Sequence, residues 1–412
     1  MKNYLPPEVL VTGVGITSAI GQGKAAFTAA LLQGQHRFGV MQRPGRQFVG
    51  PQHRSRFLGA EIDNLSVPER IPAKQLRTAS FSAQVALATL DEAWRDANLE
   101  GVEPERIGLV VGGSNFQQRE LTQTYEAHWG RAQFLRPTYA LSFMDSDLCG
   151  LCTEVFDIRG FAHTVGGASA SGQVAVIQAI QAIRSGQVDV CIALGALMDL
   201  SYWECQGFRS LGAMGSNRYA ERPELACRPF DRERDGFIYG ESCGAVVIER
   251  CDSQRTRPAP YGQLSGWAMR MDRNRNPDPS FQGEVDAIQK CLQQAGWSAR
   301  DIDYINPHGT GSTLGDETEL RAIRHCELTG AWLNATKSII GHGLSAAGTV
   351  ELIAILLQMK AGQLHPTRNL DNPIDPDRAW VREHAIEHVT HRALNLSMGF
   401  GGINTAVCVQ RL

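Results

Sequence analysis

The stretch His163-Thr164-Val165-Gly166-Gly167-Ala168-Ser169-Ala170-Ser171-Gly172, followed by the apolar run Gln173 to Arg184, decides how this chain is read. Small residues packed this densely before a helix-forming run predict a sharp strand-to-helix turn, because bulky side chains would block so tight a reversal. Such a turn sets Ser169 beside a helix N-terminus, where unpaired N–H groups and a partial positive charge suit an anion or an acyl carbonyl. A plainer reading is that Ser169 or Ser171 serves only as an N-cap. Val174, Val176, Ile177, Ile180 and Ile183 wrap most of the helix, which predicts burial nearly all round and a central place for Ser169. Ser185-Gly186 ends it.

Working outward, apolar strands alternate with amphipathic helices on both sides of this turn. Val9 to Ile16, Ile107 to Val111, Val188 to Leu194 and Ala245 to Ile248 read as buried strands, and Thr78 to Trp94 as a helix with apolar residues every three to four positions. Past Arg250 the order starts again, with strands at Gly262 to Trp267 and Ile302 to Ile305 and helices at Glu284 to Ala295 and Glu317 to Arg324. The expected class is α/β with parallel sheets, in two halves, 1–250 and 251–412, alike in pattern though not visibly in residues. Gly13-Val14-Gly15 invites a dinucleotide-binding reading, but Ser18 stands where the third glycine belongs. Leu121 to Leu151 is less regular and carries Tyr125, Trp129, Phe134, Tyr139 and Phe143; it reads as an insertion that covers a pocket, forms a subunit contact, or packs on the core.

Composition narrows the function. With 412 residues, 43% apolar and 20% charged, the chain is long enough for a large buried core. A net charge of −3 gives no nucleic-acid footprint. No secretory signal pattern stands in Met1 to Leu10 and no uninterrupted apolar stretch is long enough to span a bilayer, so a cytoplasmic protein without a membrane partner is expected. The ten cysteines form no framework, and Cys149 and Cys152 lack a second pair, so no metal site is expected. Between Phe38 and Arg77 lie Arg43, Arg46, His53, Arg54, Arg56, Lys74 and Arg77, expected mostly as a solvated loop, with docking of an acidic partner as the alternative.

Three further motifs follow the elbow in order. Asn306-Pro307-His308-Gly309-Thr310-Gly311 comes after a strand, so His308 is expected on a loop at the carboxyl end of the sheet. Lys337-Ser338-Ile339-Ile340-Gly341-His342 leads into a buried helix, Ala347 to Met359, and Gly399-Phe400-Gly401-Gly402-Ile403-Asn404 is a glycine turn between two strands.

Taken together these motifs resemble those of the β-ketoacyl-acyl-carrier-protein synthases, over essentially the whole length from Val11 to Val409. The resemblance implies a thiolase-like five-layer α-β-α-β-α fold of two similar halves and a homodimer. It also implies a pocket for the phosphopantetheine arm of an acyl carrier protein, with no other cofactor. It assigns His308 and His342 as donors to a thioester oxygen and Lys337 as their electrostatic support. Phe400 and Phe237 line or gate the pocket with Thr310 and Gly401, and Lys74 and Arg77 dock the carrier.

One position departs from the pattern: the family's elbow is Thr-Ala-Cys-Ala-Ser, whereas here Gly167-Ala168-Ser169-Ala170-Ser171 puts serine at the nucleophile. A thiol of pKa ~8.5 is within reach of a helix terminus and a nearby base. A helix dipole worth roughly 0.3–1 kcal/mol does not make an alkoxide, so Ser169 needs a true general base to act as a nucleophile. Decarboxylation of a malonyl thioester needs no nucleophile, only donors for the enolate oxygen. The chain thus resembles the serine-bearing decarboxylating ketosynthases of polyketide β-branching, which make acetyl-carrier protein from malonyl-carrier protein. The alternatives are an acyltransferase with Ser169 as nucleophile and His308 as base, a non-catalytic chain-length-factor-like partner, and a condensing enzyme whose cysteine has been exchanged. Against the last, Gly166-Gly167 also departs from the usual Ser-Thr.

Overall fold

The computed structural model describes residues 8–51, 54–253 and 255–412. Ten strands carry the architecture: β1 (Val9–Ser18), β2 (Ile107–Gly112), β3 (Phe161–Val165), β4 (Val190–Gly195), β5 (Ser242–Arg250), β6 (Gly262–Met271), β7 (Tyr304–Asn306), β8 (Trp332–Leu333), β9 (Arg392–Gly399) and β10 (Ile403–Gln410). Their order is β8-β7-β9-β10-β6-β1-β5-β4-β2-β3, with the short strand Gly21–Gln22 paired to β1. Each half has the same internal topology. In both, the first strand runs antiparallel to the fifth and the fifth to the fourth, while the fourth, second and third are parallel. The halves meet where β1 pairs antiparallel with β6 at Leu10 to Gln263 and Val11 to Gly262.

Five helices complete the layers: α1 (Phe81–Asp96), α2 (Ser171–Arg184), α3 (Phe281–Ala295), α4 (Thr313–His325) and α5 (Ala347–Ala361). Helix α1 covers β1 and β5 from outside, α3 covers β6 and β10, and α4 packs on α3. Between the sheets lie α2 and α5 in mutual contact, which gives the α-β-α-β-α stack. These two helices are apolar nearly all round because both faces meet sheet. Leu344–Ala361 is long and apolar enough to cross a membrane, yet it is this central core helix with its lead-in turn.

The repeat that is faint in residues is plain in backbone. Ala168 (φ 48°) leads a 3₁₀ turn into α2, and Leu344 (φ 51°) leads one into α5. The segments align as Ala168-Ser169-Ala170-Ser171-Gly172 with Leu344-Ser345-Ala346-Ala347-Gly348. Gly172 and Gly348 let the helices cross at van der Waals distance: a Cβ on Gly172 would lie 2.9 Å from Ser345 O, and one on Gly348 would lie 2.6 Å from Gln173 N. The two elbows therefore abut at the centre of the molecule.

Several expectations change. The Gly13-Val14-Gly15 pair lies inside β1, and a Cβ on Gly15 would come 2.0 Å from Thr89 O, so these glycines serve the close packing of α1, not a phosphate loop. Arg43 and Arg46 are not solvated: Arg43 binds Glu241 with its guanidinium, and the wholly buried Arg46 binds Glu61, Asp199 and Glu241. A buried guanidinium persists only with such partners, and carboxylates from three separate segments supply them. Arg54, Lys74 and Arg77 are exposed, Arg56 pairs with Glu221, and His53 lies outside the described residues. The 121–151 segment contributes the helix Gln118–His128 and, after two short turns, the helix Ser146–Phe156. None of its residues lines the central cavity; Tyr139 packs edge-on against Tyr125 and tilted against Phe143, and Trp129 is 87% exposed. Cys149 and Cys152 are buried thiols in the core between α1 and the sheet, each raised in pKa by burial.

Candidate active site

The elbow forms where β3 ends and the chain turns through Gly166 and Gly167. Ser171 stitches the turn: its Oγ accepts from Gly167 N (2.9 Å) and donates to Ala168 O (2.7 Å). Neither serine caps the helix: its N-cap is Ala170, without a side-chain bond, Ser171 braces the turn, and Ser169 faces the cavity. Gly399, at the end of β9, presses on the same turn; a Cβ there would lie 2.1 Å from Gly167 O.

The histidines arrive from the second half. His308 follows β7 on a loop pinned by Glu319 of α4, whose carboxylate accepts from His308 N (2.6 Å) and Gly309 N (2.9 Å). His342 precedes the second elbow, after Gly341 (φ 80°), and its N–H donates to Ile238 O (2.7 Å). The two rings stand perpendicular at 5.5 Å between centroids, and Phe237 packs edge-on against His342 at 5.2 Å.

Protonation at the site follows from its bonds. Leu344 N donates to His342 Nδ1 (3.3 Å), so Nδ1 is an acceptor and the neutral ring carries its proton on Nε2. That Nε2–H donates to Ser169 Oγ at 2.9 Å. Burial, then the Lys337 charge, holds His342 well below the usual histidine pKa; burial, Lys337 and His342 do the same to His308. Both rings are therefore neutral near pH 7, each with a single N–H. His308 Nδ1 is buried without a partner, leaving Nε2 as the nitrogen open to the cavity.

A cavity of about 480 Å³ connects these groups to solvent. Ser169, Phe237, His308, Thr310, His342 and Phe400 all line it, with Phe400 partly exposed at the mouth. Lys337 does not: it lies behind His308, wholly buried, with Nζ bound to His308 O and Glu351. Gly401 is also outside the lining; its neighbours Phe400 and Gly402 form the wall while Gly401, at φ 89°, makes the turn. Lys74 and Arg77 are on the outer surface, and Lys74 edges a separate groove with Thr78, Met144 and Asp147. The pairing of Ser169 with His308 as its base is not formed; the ring that meets Ser169 is His342, and it donates.

Four acidic residues were not anticipated. Burial raises Glu351 to about 7 against the lowering pull of Lys337, and raises Glu319 to about 8 and Asp316 to about 6. Glu284 lines the cavity with a buried, unpartnered Oε2 and is raised by burial and by its acidic neighbours. The available signal was register: Asp316 and Glu319 share the core face of α4 with Leu320 and Ile323, and Glu351 is the only acidic residue in α5.

Comparison with known proteins settles the kinship. Residues 7–254 match the family model "Beta-ketoacyl synthase, N-terminal domain", and residues 261–371 match "Beta-ketoacyl synthase, C-terminal domain". The chain belongs to the β-ketoacyl synthase family. Among its relatives, the polyketide biosynthesis malonyl-ACP decarboxylase PksF of Bacillus subtilis (strain 168) is 62% identical over 407 residues, 98% of this chain and 97% of that one. The tetracenomycin polyketide synthase ketoacyl synthase alpha subunit of Streptomyces glaucescens is 30% identical across 100% of this chain and 99% of its own. A solved β-ketoacyl synthase from Burkholderia phymatum STM815 superposes with a TM-score of 0.88 at 26% identity, covering 98% of this chain and 100% of the other. The thiolase-like ketosynthase fold is thereby established for this chain.

Proposed function

We propose that this ketosynthase decarboxylates malonyl-acyl-carrier protein to acetyl-acyl-carrier protein and does not condense, supplying acetyl units for β-branching in a polyketide pathway. One observation carries the reading: two imidazoles held neutral by burial stand 5.5 Å apart at one cavity, while the serine at the elbow accepts a hydrogen bond from His342. The relative that is 62% identical bears the name of this activity.

The residues divide the work as follows. The thioester oxygen of the substrate meets His308 and His342, whose N–H groups stabilise it most when the C–COO⁻ bond breaks and enolate charge gathers there. A single preorganised donor of this kind is worth about 10²–10³ in rate. Lys337 and Glu351 fix the His308 loop from behind, since Lys337 holds the His308 carbonyl. Phe237 and Phe400 give the malonyl carboxylate an apolar wall, which favours loss of charge as carbon dioxide over retention of the anion.

The acyltransferase reading requires an alkoxide at Ser169, and the ring that hydrogen-bonds it, His342, is a donor of depressed basicity. The proposal extends to the carrier's phosphopantetheine arm as the sole cofactor, docking at Lys74 and Arg77, a cytoplasmic site of action and a homodimer. The exposed Trp129, Tyr125 and Phe134 support a subunit contact on the inserted segment. Incubation with malonyl-carrier protein and intact mass measurement of the carrier tests the reaction: conversion to acetyl-carrier protein is expected, and an unchanged malonyl species would refute it.

A further inference from the structure

Loss of carbon dioxide leaves an enolate, and completing the reaction requires a proton on its methylene carbon. The histidines are poorly placed to supply it. Their N–H groups are engaged on the enolate oxygen, and an N–H that holds the oxygen is not free to protonate the methylene carbon. An acid that can reach the carbon is still needed.

We infer that Ser169 is that acid: its hydroxyl hydrogen passes to the enolate carbon, with the oxygen recharged from water in the cavity. This rests on the decarboxylase reading above and adds a residue role to it. The first support is directional. Because His342 Nε2–H donates to Ser169 Oγ, the oxygen is the acceptor in that bond and its own hydrogen must point elsewhere. Among the described residues no acceptor takes it, and Ser169 lines the cavity, so the hydroxyl hydrogen faces the space that the substrate enters.

The second support is distance. Ser169 Oγ lies 2.9 Å from His342 Nε2. An enolate oxygen held by the same N–H sits about 2.7–3.2 Å from that nitrogen, and the methylene carbon lies about 2.4 Å beyond the oxygen. A methylene carbon turned toward Ser169 therefore lies within reach of its hydroxyl. The third support is chemical. A hydroxyl is a stronger acid than the α-carbon of a thioester, so transfer to carbon is downhill.

The step balances. The C–COO⁻ bond breaks, carbon dioxide leaves, and its electron pair becomes the enolate. The enolate carbon then forms a C–H bond with the Ser169 hydrogen, while a cavity water gives its proton to Ser169 Oγ and leaves hydroxide for the buffer. Net, malonyl thioester plus one solvent proton gives acetyl thioester and carbon dioxide. Serine ends as it began, with no covalent intermediate.

Stereochemistry tests this, because a fixed donor protonates one face and free water does not. Malonyl-carrier protein tritiated stereospecifically at the methylene carbon is turned over in deuterated water, and the acetyl product is analysed for methyl chirality. The parent protein is expected to give chiral methyl, and Ser169→Ala to give largely racemic methyl in the acetyl product it forms. Racemic methyl from the parent, or undiminished chirality from Ser169→Ala, would overturn the donor role while leaving decarboxylation standing. Failure of the parent protein to release any carbon dioxide would instead overturn the functional reading. Complete loss of release in a folded Ser169→Ala would also overturn the donor role, in favour of an acylated serine.

Discussion

His342→Ala is the variant whose consequences the structure specifies most fully. It removes the Nε2–H donor, the acceptor for Leu344 N, and the ring against which Phe237 packs edge-on. Loss of one preorganised donor at a developing oxyanion should lower kcat by about 10²–10³, or about 2.7–4 kcal/mol. A separate cost falls on stability: an unpartnered N–H at Leu344 is worth about 1–3 kcal/mol, and truncation of the buried ring adds a cavity term. The two effects separate experimentally. Carbon dioxide release is followed with malonyl-carrier protein below the onset of melting, and thermal unfolding is measured in parallel by circular dichroism. The expected result is a folded protein with a lower midpoint, a kcat reduced at least a hundredfold and a KM changed little, since the donor acts mainly on the enolate. A folded variant that keeps more than about a tenth of the parent rate would refute the claim that this ring holds the enolate oxygen.

His308→Ala should fall by a similar factor, and the double variant by much less than the product of the two, because the donors act as a unit; single-turnover rates check this. Ser169→Cys should accumulate a covalent acyl adduct when given acyl-carrier protein, visible by intact mass, whereas the parent should not, because a thiol reaches its anion where an alcohol does not. Charge reversal at Lys74 and Arg77, both exposed, should raise KM for the carrier-bound substrate and flatten its salt dependence, with kcat unchanged. Gly15→Ala drives a Cβ to 2.0 Å from Thr89 O, so α1 must shift; a loss of about 1–3 kcal/mol or more is expected by chemical denaturation. His308 and His342 are held well below the ordinary value of 6.5, and His365 is lowered by burial to about 4. The unfolded chain therefore takes up protons that the folded one refuses, and the thermal midpoint should decline as pH falls through 6.5 toward the folded values.

Much of this was legible in the chain because it rests on local chemistry. Small residues dictate the elbow at Ala168-Ser169-Ala170, apolar residues all round mark α2 and α5 as central, and the glycine-framed histidines announce loops at strand ends. What stayed hidden depends on partners far apart in sequence. Arg43 and Arg46 looked like solvated charges because nothing near them shows that Glu241 and Asp199 fold onto them. Lys337 read as electrostatic support for the two histidines, but its partner Glu351, in the next helix of the core, stayed hidden. Which histidine meets Ser169 is set by the crossing of the two halves at Gly172 and Gly348, and spacing alone favours neither. The internal repeat is carried in the backbone, by the left-handed residues Ala168 and Leu344, whose side chains differ in size.

The central claim is that an enolate forms at this site with no acyl partner waiting on residue 169. It is tested most directly by offering the purified protein malonyl-carrier protein together with a medium-chain acyl-carrier protein and weighing every species, carriers and enzyme alike. The account predicts acetyl-carrier protein, an untouched acyl-carrier protein and an enzyme of unchanged mass. A β-ketoacyl product, or an acyl group on Ser169, would contradict it.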